Sequence, residues 1–332
     1  MTRLPVGAAL VAGWIVAAGT PVLAQSLTSE VSVTAGASTD DVSAGAMQAR
    51  VSADTPAVRI FAEVAWAASA GPESDAFGAA YPYEHLNVME AYGERTFRGG
   101  RAIASVRAGR FRTPFGIYAA SDHGYGGFLR APLIRYAGYW ALSNTFLEHG
   151  VNVMAGVPAL QAEYTAATPG DPGDTQRRGG FDQVVRVQGY HGSLVVGASH
   201  IRTQPYQPAR YAFGRAVFSG VDARWMRGGV QLRGEWIDGQ PFDDMHTRGG
   251  YVDAFVHTPA MGRVTAVARA EVLDYDAGPR SVLAKRGTLG ARVLVADGLY
   301  AQINAAHQMG ALYSEYRNSI DVALTYTVRY GR

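Results

Sequence analysis

Side chains of alternating polarity along most of the chain are the feature that most restricts its fold. In the last segment, Ile320, Val322 and Leu324 share one parity, whereas Asp321 and Thr325 share the other. Successive residues of a β-strand point to opposite faces, so this pattern predicts a strand with one apolar face and one polar face. The same pattern recurs in four further segments, at residues 58–66, 230–236, 264–272 and 299–305. The chain is therefore predicted to be all-β.

The lengths of the segments and of their connections indicate a barrel. About sixteen segments alternate, each near the 9 to 11 residues with which a tilted strand crosses a bilayer. Short connections near 54–56 and 296–298 contrast with long ones near 69–80, 113–149 and 168–180. Short turns at one rim and long loops at the other are typical of outer-membrane barrels, with both termini on the periplasmic side. We therefore predict a transmembrane antiparallel β-barrel of about 16 strands.

A soluble β-sandwich would also alternate, with its apolar face as a core. Two observations favour the barrel. Trp66, Trp236 and Tyr330 place aromatic residues towards the ends of apolar faces, as expected at the two membrane interfaces. The polar faces carry opposite charges in the middle of strands, as expected of a wet lumen. The sandwich stays open as the less favoured alternative.

Residues 1–24 have the pattern of a secretory signal peptide. Arg3 gives a positive start, residues 6–18 form an apolar stretch, and a small-residue cleavage site ends at Ala24. A membrane anchor is the alternative, but the apolar stretch is short for a spanning helix. We predict that the signal peptide is removed and that residues 25–332 form the barrel in the bacterial outer membrane.

The charges are nearly balanced, and the cations are almost all arginine. Lys285 is the single lysine among 30 cationic residues, so the other 29 are arginines, against 28 acidic residues. Because acids balance the basic residues, no nucleic-acid partner is predicted. The chain has no cysteine, which excludes disulfides and thiolate metal sites. We predict no cofactor and no metal site.

Strand parity places arginines and acids together on the polar face. The arginines are Arg59, Arg107, Arg186, Arg224, Arg233, Arg269, Arg292 and Arg329, and the acids are Glu63, Glu163, Asp222, Glu235, Asp253, Glu271 and Asp321. This near balance predicts that most of them form cross-strand ion pairs that stiffen the wall.

The connection at 113–149 is the longest and is rich in aromatic residues, among them Phe115, Tyr125, Phe128 and Trp140. A barrel of sixteen strands is too wide for side chains to fill and leaves an aqueous channel. Because aromatic residues at this density need burial, we predict that this long third extracellular loop folds into the lumen. An external lid or a subunit contact is the alternative.

A short motif leads from the fifth strand into this loop, and it reads Gly109-Arg110-Phe111-Arg112-Thr113-Pro114-Phe115-Gly116. It resembles the Gly-basic-Phe-basic-x-Pro-Phe-Gly segment of phosphate-selective porins and related outer-membrane porins. Proline ends strand pairing because it lacks an N–H, and the last glycine permits the turn. The resemblance implies a trimeric barrel of sixteen strands, a third loop inside each pore, and basic side chains that guide anions. The single lysine departs from the clustered lysines of the phosphate-selective members.

Five arginines and two acids are the candidates for the pore constriction: Arg107, Arg110, Arg112, Arg130 and Arg135, with Asp122 and Glu148 as the acids of the loop. A local excess of arginine favours anions, because guanidinium stays charged and grips oxyanions at two points. We predict a weakly anion-selective channel for small hydrophilic solutes or ions, including phosphate-like anions. The resemblance implies a homotrimer in outer-membrane lipid.

Two other functions stay open. An outer-membrane lipase or protease would need a catalytic motif, but the chain has neither Gly-x-Ser-x-Gly nor His-Glu-x-x-His. We therefore predict no catalytic residue. A structural or adhesin barrel would have a filled lumen instead of a continuous water path.

Overall fold

In the computed structural model, the described part of the chain forms one closed antiparallel β-barrel of sixteen strands. The described residues are 26–41, 43–70, 86–117, 128–135, 147–169, 176–177, 181–203, 206–207, 216–241, 245–276, 281–310 and 316–331. The predicted signal peptide lies outside these ranges. No helix within them is long and apolar enough to cross a membrane.

The barrel strands are labelled β1 to β16 in chain order. They are Ser26–Ser38, Ser43–Asp54, Arg59–Ala70, Asn87–Gly99, Ala102–Arg112, Leu147–Val157, Leu160–Pro169, Asp182–His191, Leu194–Arg202, Val217–Arg227, Val230–Gln240, His246–Val256, Val264–Asp276, Ser281–Ala296, Leu299–Met309 and Tyr316–Gly331. Each strand pairs with its neighbours in sequence, and β1 pairs with β16 to close the barrel. Two short strands, Gln176–Arg177 and Tyr206–Gln207, pair separately. The predicted sixteen-stranded barrel is confirmed.

The two faces of the barrel follow the alternation of the sequence. In β16, Ile320, Val322 and Leu324 are about half exposed, whereas Asp321 and Ala323 between them are buried. The other strands repeat this arrangement, with exposed apolar residues on one parity and buried polar residues on the other. The apolar face is therefore the outer surface, and the charged face lines the interior.

Ion pairs cross the strands on the interior face. Arg186 donates to Asp222 at 2.8 Å, from β8 to β10. Asp253 on β12 accepts from Arg233 on β11 at 2.9 Å and from Arg269 on β13 at 2.6 Å. The predicted pairing of wall arginines with wall acids is confirmed at these positions. Three arginines meet two carboxylates here, so most of the charge in this part of the interior is paired.

The two rims of the barrel differ in the length of their connections. At one rim, the short-turn rim, the connections are 55–58, 100–101, 158–159, 192–193, 228–229, 257–263 and 297–298. At the other, the long-loop rim, they are 39–42, 71–86, 113–146, 170–181, 203–216, 241–245, 277–280 and 310–315. The predicted alternation of connection lengths is confirmed. Two of the short turns begin later in the chain than predicted, because strand pairing continues to Gly99 and to His191.

Candidate functional site

The connection that follows β5 turns into the barrel. Its described parts are residues 113–117, here called the outgoing limb, and residues 128–135, here called the return limb. Every residue of both limbs is buried. Both limbs bond to interior side chains of strands far from β5 around the barrel, so the described parts of the connection lie in the lumen.

Backbone hydrogen bonds hold the outgoing limb. The N–H of Gly116 donates to Ser199 Oγ on β9 at 3.1 Å, and the N–H of Ile117 donates to Glu235 Oε1 on β11 at 3.3 Å. Gly116 has a left-handed φ of 63°, and a Cβ at this position would overlap the Glu235 carboxylate. Only glycine meets both conditions without strain. The turn predicted at Gly116 is therefore confirmed.

Phe115 joins the outgoing limb to the wall and to the return limb. Its ring is fully buried and lies so close to β10 that a Cβ on Gly220 would be 3.0 Å away. The guanidinium of Arg135 lies 5.4 Å from the centroid of this ring and donates to the Phe115 carbonyl at 3.0 Å. The aromatic residue of the motif thus packs in the interior, and the two limbs are held as one unit.

A fully buried ion pair fixes the end of the return limb. Arg135 ends a 3-10 turn, Leu133–Arg135, and its Nε donates to Glu235 Oε2 at 2.9 Å. A second guanidinium nitrogen bonds Oε1 of the same carboxylate, and both side chains are 0% exposed. Because Glu235 also accepts the N–H of Ile117, one carboxylate on β11 anchors both limbs.

Arg130 fixes the start of the return limb at the seam where the barrel closes. Its Nε donates to Asp321 Oδ2 on β16 at 2.9 Å, and its NH2 donates to Asp40 Oδ1 at 2.9 Å. Ser38 Oγ accepts from the same nitrogen at 2.9 Å. Arg317 also pairs with Asp40. The charge of Arg130 is therefore neutralised by Asp321 of the wall and Asp40 of the connection between β1 and β2.

The pKa of Asp40, in the connection between β1 and β2, is lowered from its usual value. Burial alone would raise this pKa. The hydrogen bond from Ser38 and the charges of Arg130 and Arg317 outweigh burial and favour the carboxylate. The anchor of Arg130 is therefore an ion pair over most of the pH range.

Wall arginines donate to backbone carbonyls of the return limb, whose residues belong to none of the described strands. Arg269 on β13 donates to the Arg130 carbonyl at 2.9 Å, and Arg286 on β14 donates to the Ala131 carbonyl. In return, the N–H of Leu133 donates to Glu271 Oε2 at 2.7 Å. A buried backbone group without a hydrogen-bond partner is costly, and these side chains supply the hydrogen bonds that a sheet would otherwise supply.

Aromatic packing completes this contact. The guanidinium of Arg269 lies 4.1 Å from the centroid of the Phe128 ring, and Phe255 on β12 meets that ring edge-on at 5.8 Å. An arginine over an aromatic face is attracted by the negative charge of the ring face. The return limb thus presents both polar and aromatic groups to β12, β13 and β14.

The predicted arginines before the loop occupy three different environments. Arg112 pairs with Glu63 and Glu90 on β3 and β4. Arg107 faces the interior, pairs with Glu94 at 2.8 Å, and keeps 27% of its side chain exposed.

Arg110 corrects one expectation, because it lies on the outer face of β5, 3.2 Å from the ring of His149. Its strand partner His149 shares the outer face of β6 with the exposed Val151 and Val153, so Arg110 does not face the constriction.

The two predicted acids of the loop are Asp122 and Glu148. Asp122 lies outside the described residues. Glu148 lies in β6, Leu147–Val157, opposite Phe111 of β5, and not in the loop as expected. Pairing with β5 resumes at Leu147, so the loop ends at residue 146.

The acids that do hold the loop were not linked to it by the sequence: Asp40, Glu235, Glu271 and Asp321. The last three were predicted on the interior face, but their partners are remote along the chain. Arg135 is 100 residues from Glu235, and Arg130 is 191 residues from Asp321. No local motif marks such a pair, because the closure of the barrel brings its members together.

Comparison with known proteins finds solved structures with a similar fold. No family model and no curated protein sequence matches the chain. Among solved structures, it is similar to OmpF of Salmonella typhi, at TM-score 0.63 and 11% identity, over 91% of this chain and 97% of that one. It is also similar to an anion-selective porin from Comamonas acidovorans, at TM-score 0.59 and 13% identity, over 93% and 100% of the two chains.

A third similar structure is OmpT, an outer-membrane protein of Vibrio cholerae, at TM-score 0.59 and 11% identity, over 91% of this chain and 97% of that one. At these identities, the similarity establishes a shared fold along nearly the whole length of each chain. The chain therefore has the barrel architecture of these outer-membrane proteins.

Arg135→Ala should destabilise the protein by about 3–5 kcal/mol, because it leaves a buried carboxylate without its cation. Urea unfolding in lipid vesicles measures the loss. The control is the double variant Arg135→Ala with Glu235→Gln, which also removes the orphaned charge and should recover part of the stability. A double variant no more stable than the single one would show that the Arg135–Glu235 charge pair is not the anchor.

Acid should weaken the anchor of Arg130. Because the pKa of Asp40 is lowered by folding, its contribution to stability is present above the usual value of 3.8 and is lost as pH falls through the lowered pKa. Asp40→Asn should be less stable than the wild type at neutral pH, and this difference should shrink below about pH 4. Thermal unfolding across the acid range measures it. Parallel pH profiles of the two proteins would contradict the role of Asp40.

Proposed function

We propose that this protein is a porin of the bacterial outer membrane, a water-filled channel through which small hydrophilic solutes diffuse passively. One observation carries the proposal: both limbs of the connection after β5 are anchored inside a closed barrel that is apolar outside and charged inside. An apolar outer surface suits lipid, and a charged interior suits water. The described limbs occupy part of a lumen that sixteen strands would leave open.

The anchors give such a channel a fixed width. Glu235 on β11, Glu271 on β13 and Asp321 on β16 each accept hydrogen bonds from the limbs. Three contacts spread around the wall leave the limbs no hinge about which to swing out. We propose that residues 113–146 form the constriction of the channel and that its size sets an upper limit on the solute.

The setting of the channel is part of the proposal. We place the long-loop rim outside the cell and the short-turn rim in the periplasm, the arrangement of outer-membrane barrels in general. A homotrimer is supported by the fold shared with outer-membrane porins, and OmpT of Vibrio cholerae has been solved as a trimer. Catalysis has no support in the motifs of the sequence.

Weak anion selectivity is the finer part of the proposal, including selectivity for phosphate-like anions. Arg112 before the loop and Arg130 and Arg135 within it are neutralised by carboxylates, so we assign most of the attraction to interior arginines elsewhere. Arg224 on β10 bonds the amide oxygen of Gln188 at 2.9 Å, and Arg292 on β14 lies 3.9 Å from the centroid of the Tyr300 ring. Neither forms an ion pair within the described part of the chain. These two arginines give the lumen its uncompensated positive charge.

Planar bilayers test the channel directly. The refolded protein should add stepwise conductance increments to the membrane, because each insertion opens a water path. A membrane that takes up the protein and shows no conductance would contradict the proposal and favour a structural or adhesin barrel.

Replacing Arg224 and Arg292 together by glutamine should move the reversal potential in a salt gradient towards that of a cation-selective channel. The reason is that both positive charges lie in the lumen without a carboxylate to offset them. The matched control is Arg95→Gln with Arg227→Gln, two exposed arginines on the outer face near the short-turn rim. A reversal potential that stays at the wild-type value in the first variant would contradict the assignment.

A further inference from the structure

An apolar groove lies on the outer face of β4 to β7, at the short-turn rim. In register across these four strands stand Phe97, Ala104, Ala155 and Ala162, so one large ring is followed by three methyl groups. The next row towards the middle of the barrel has larger side chains, and it consists of Arg95, Val106, Val153 and Tyr164. The three alanines therefore form the floor of a depression, here called the rim groove.

The rim groove has a volume of about 620 Å³. Near the turns it is lined by Val157 and Leu160, which pair with each other and are each about half exposed. Phe97 also lines the rim groove and is exposed to the same extent. Large apolar side chains that project beside a floor of small ones leave a slot that suits a hydrocarbon chain.

Three exposed arginines stand beside the rim groove. Arg98 lines it, and Arg101 lies in the two-residue connection between β4 and β5. The guanidinium of Arg95 lies 5.1 Å from the centroid of the Phe97 ring, so this side chain reaches along the outer face towards the rim. None of the three arginines forms an ion pair with any residue that the structure describes.

Among the described residues, no acid on this part of the outer face offsets the three arginines. The acids of β4 to β7 are Glu90, Glu94, Glu148 and Glu163. Glu90, Glu94 and Glu163 bond to interior side chains, and Glu148 lies at the long-loop end of β6. On β2, Asp54 pairs with Arg59 at 3.6 Å. The surface around the rim groove is therefore positively charged.

A second copy of the chain is a poor occupant of the rim groove. Copies in one membrane share an orientation, so the short-turn rim of one would meet the short-turn rim of the other. The connections of that rim contain one acid, Asp297, and the described strands carry none on their outer face near it. Three arginines would then be covered by a surface with too few carboxylates to pair with them, which is costly.

We infer that the rim groove and its three arginines bind an anionic glycerophospholipid of the phosphatidylglycerol type, from the inner leaflet of the outer membrane. Arg98 and Arg101 donate to its phosphate, because a guanidinium can bind a phosphate at two points. One acyl chain lies on the alanine floor of the rim groove. Basic side chains beside an apolar cleft at the membrane surface suit an anionic headgroup. The inference rests on the proposed function, which places the short-turn rim in the periplasm.

Native mass spectrometry of the detergent-solubilised protein with phosphatidylglycerol tests the headgroup contact. Arg98→Gln with Arg101→Gln should bind this lipid about tenfold more weakly than the wild type, and adding Arg95→Gln should weaken binding further. The matched control is Arg227→Gln with Arg263→Gln, which removes two exposed arginines of the same rim outside the rim groove and should keep wild-type affinity. Circular dichroism confirms that each variant is folded.

The chain contact is tested by filling the rim groove. Ala104→Phe should weaken the binding of phosphatidylglycerol about tenfold, because the new ring displaces part of the acyl chain while all three arginines remain. Ala266→Phe is the control, because Ala266 lies on the outer face of β13 near the same rim but outside the rim groove. If Ala104→Phe instead dissociated the oligomer and left lipid binding unchanged, the rim groove would seat a second copy of the chain, and the inference would be wrong.

Three further outcomes would overturn the inference: an equal loss of affinity in the two pairs of arginine variants, equally tight binding of the zwitterionic phosphatidylethanolamine, or loss of lipid A binding in place of phosphatidylglycerol binding. Conductance in planar bilayers separates this result from the proposed channel, since the arginine and alanine variants should conduct as the wild type does. A wild-type protein that binds phosphatidylglycerol at the rim groove but never conducts would refute the channel and leave the lipid site standing.

Discussion

A charged side chain that is shut away from water must meet an opposite charge, and this constraint fixes the path of the long connection. Arg135 and Glu235 are both fully buried, so each depends on the other. Taking two charges out of water costs about as much as their attraction returns, so such a pair adds little net stability. Losing one partner is expensive, however. We infer that the pair determines where the loop lies, because most other placements of the loop would leave a buried charge without a partner.

The same constraint applies to the backbone. The sixteen strands satisfy one another's backbone groups because the barrel closes, but the described limbs inside the lumen belong to none of these strands. Here Arg269 and Arg286 donate to carbonyls of the return limb, and Glu271 accepts its N–H. Side chains of the wall thus provide the backbone hydrogen bonds that a neighbouring strand provides in a sheet. Elsewhere the charged side chains of the interior suit water. Where they contact the limbs, they hold the loop in place.

The local features of this structure could be predicted from the sequence, and the remote ones could not. The alternation of polar and apolar residues predicted the strands and the apolar face of each strand. The motif around Phe115 predicted the start of a buried loop. The partnership of Arg130 with Asp321 depends on the register around the whole barrel, which no local pattern encodes.

The central claim is that residues 113–146 narrow a barrel that would otherwise be wide. Exclusion of uncharged polymers measures this width, because a polymer that enters the channel lowers its conductance and one that is too large does not. For the wild-type protein in planar bilayers, we predict a size cutoff well below the width of an empty sixteen-stranded barrel. A cutoff equal to that full width would contradict a loop held in the lumen.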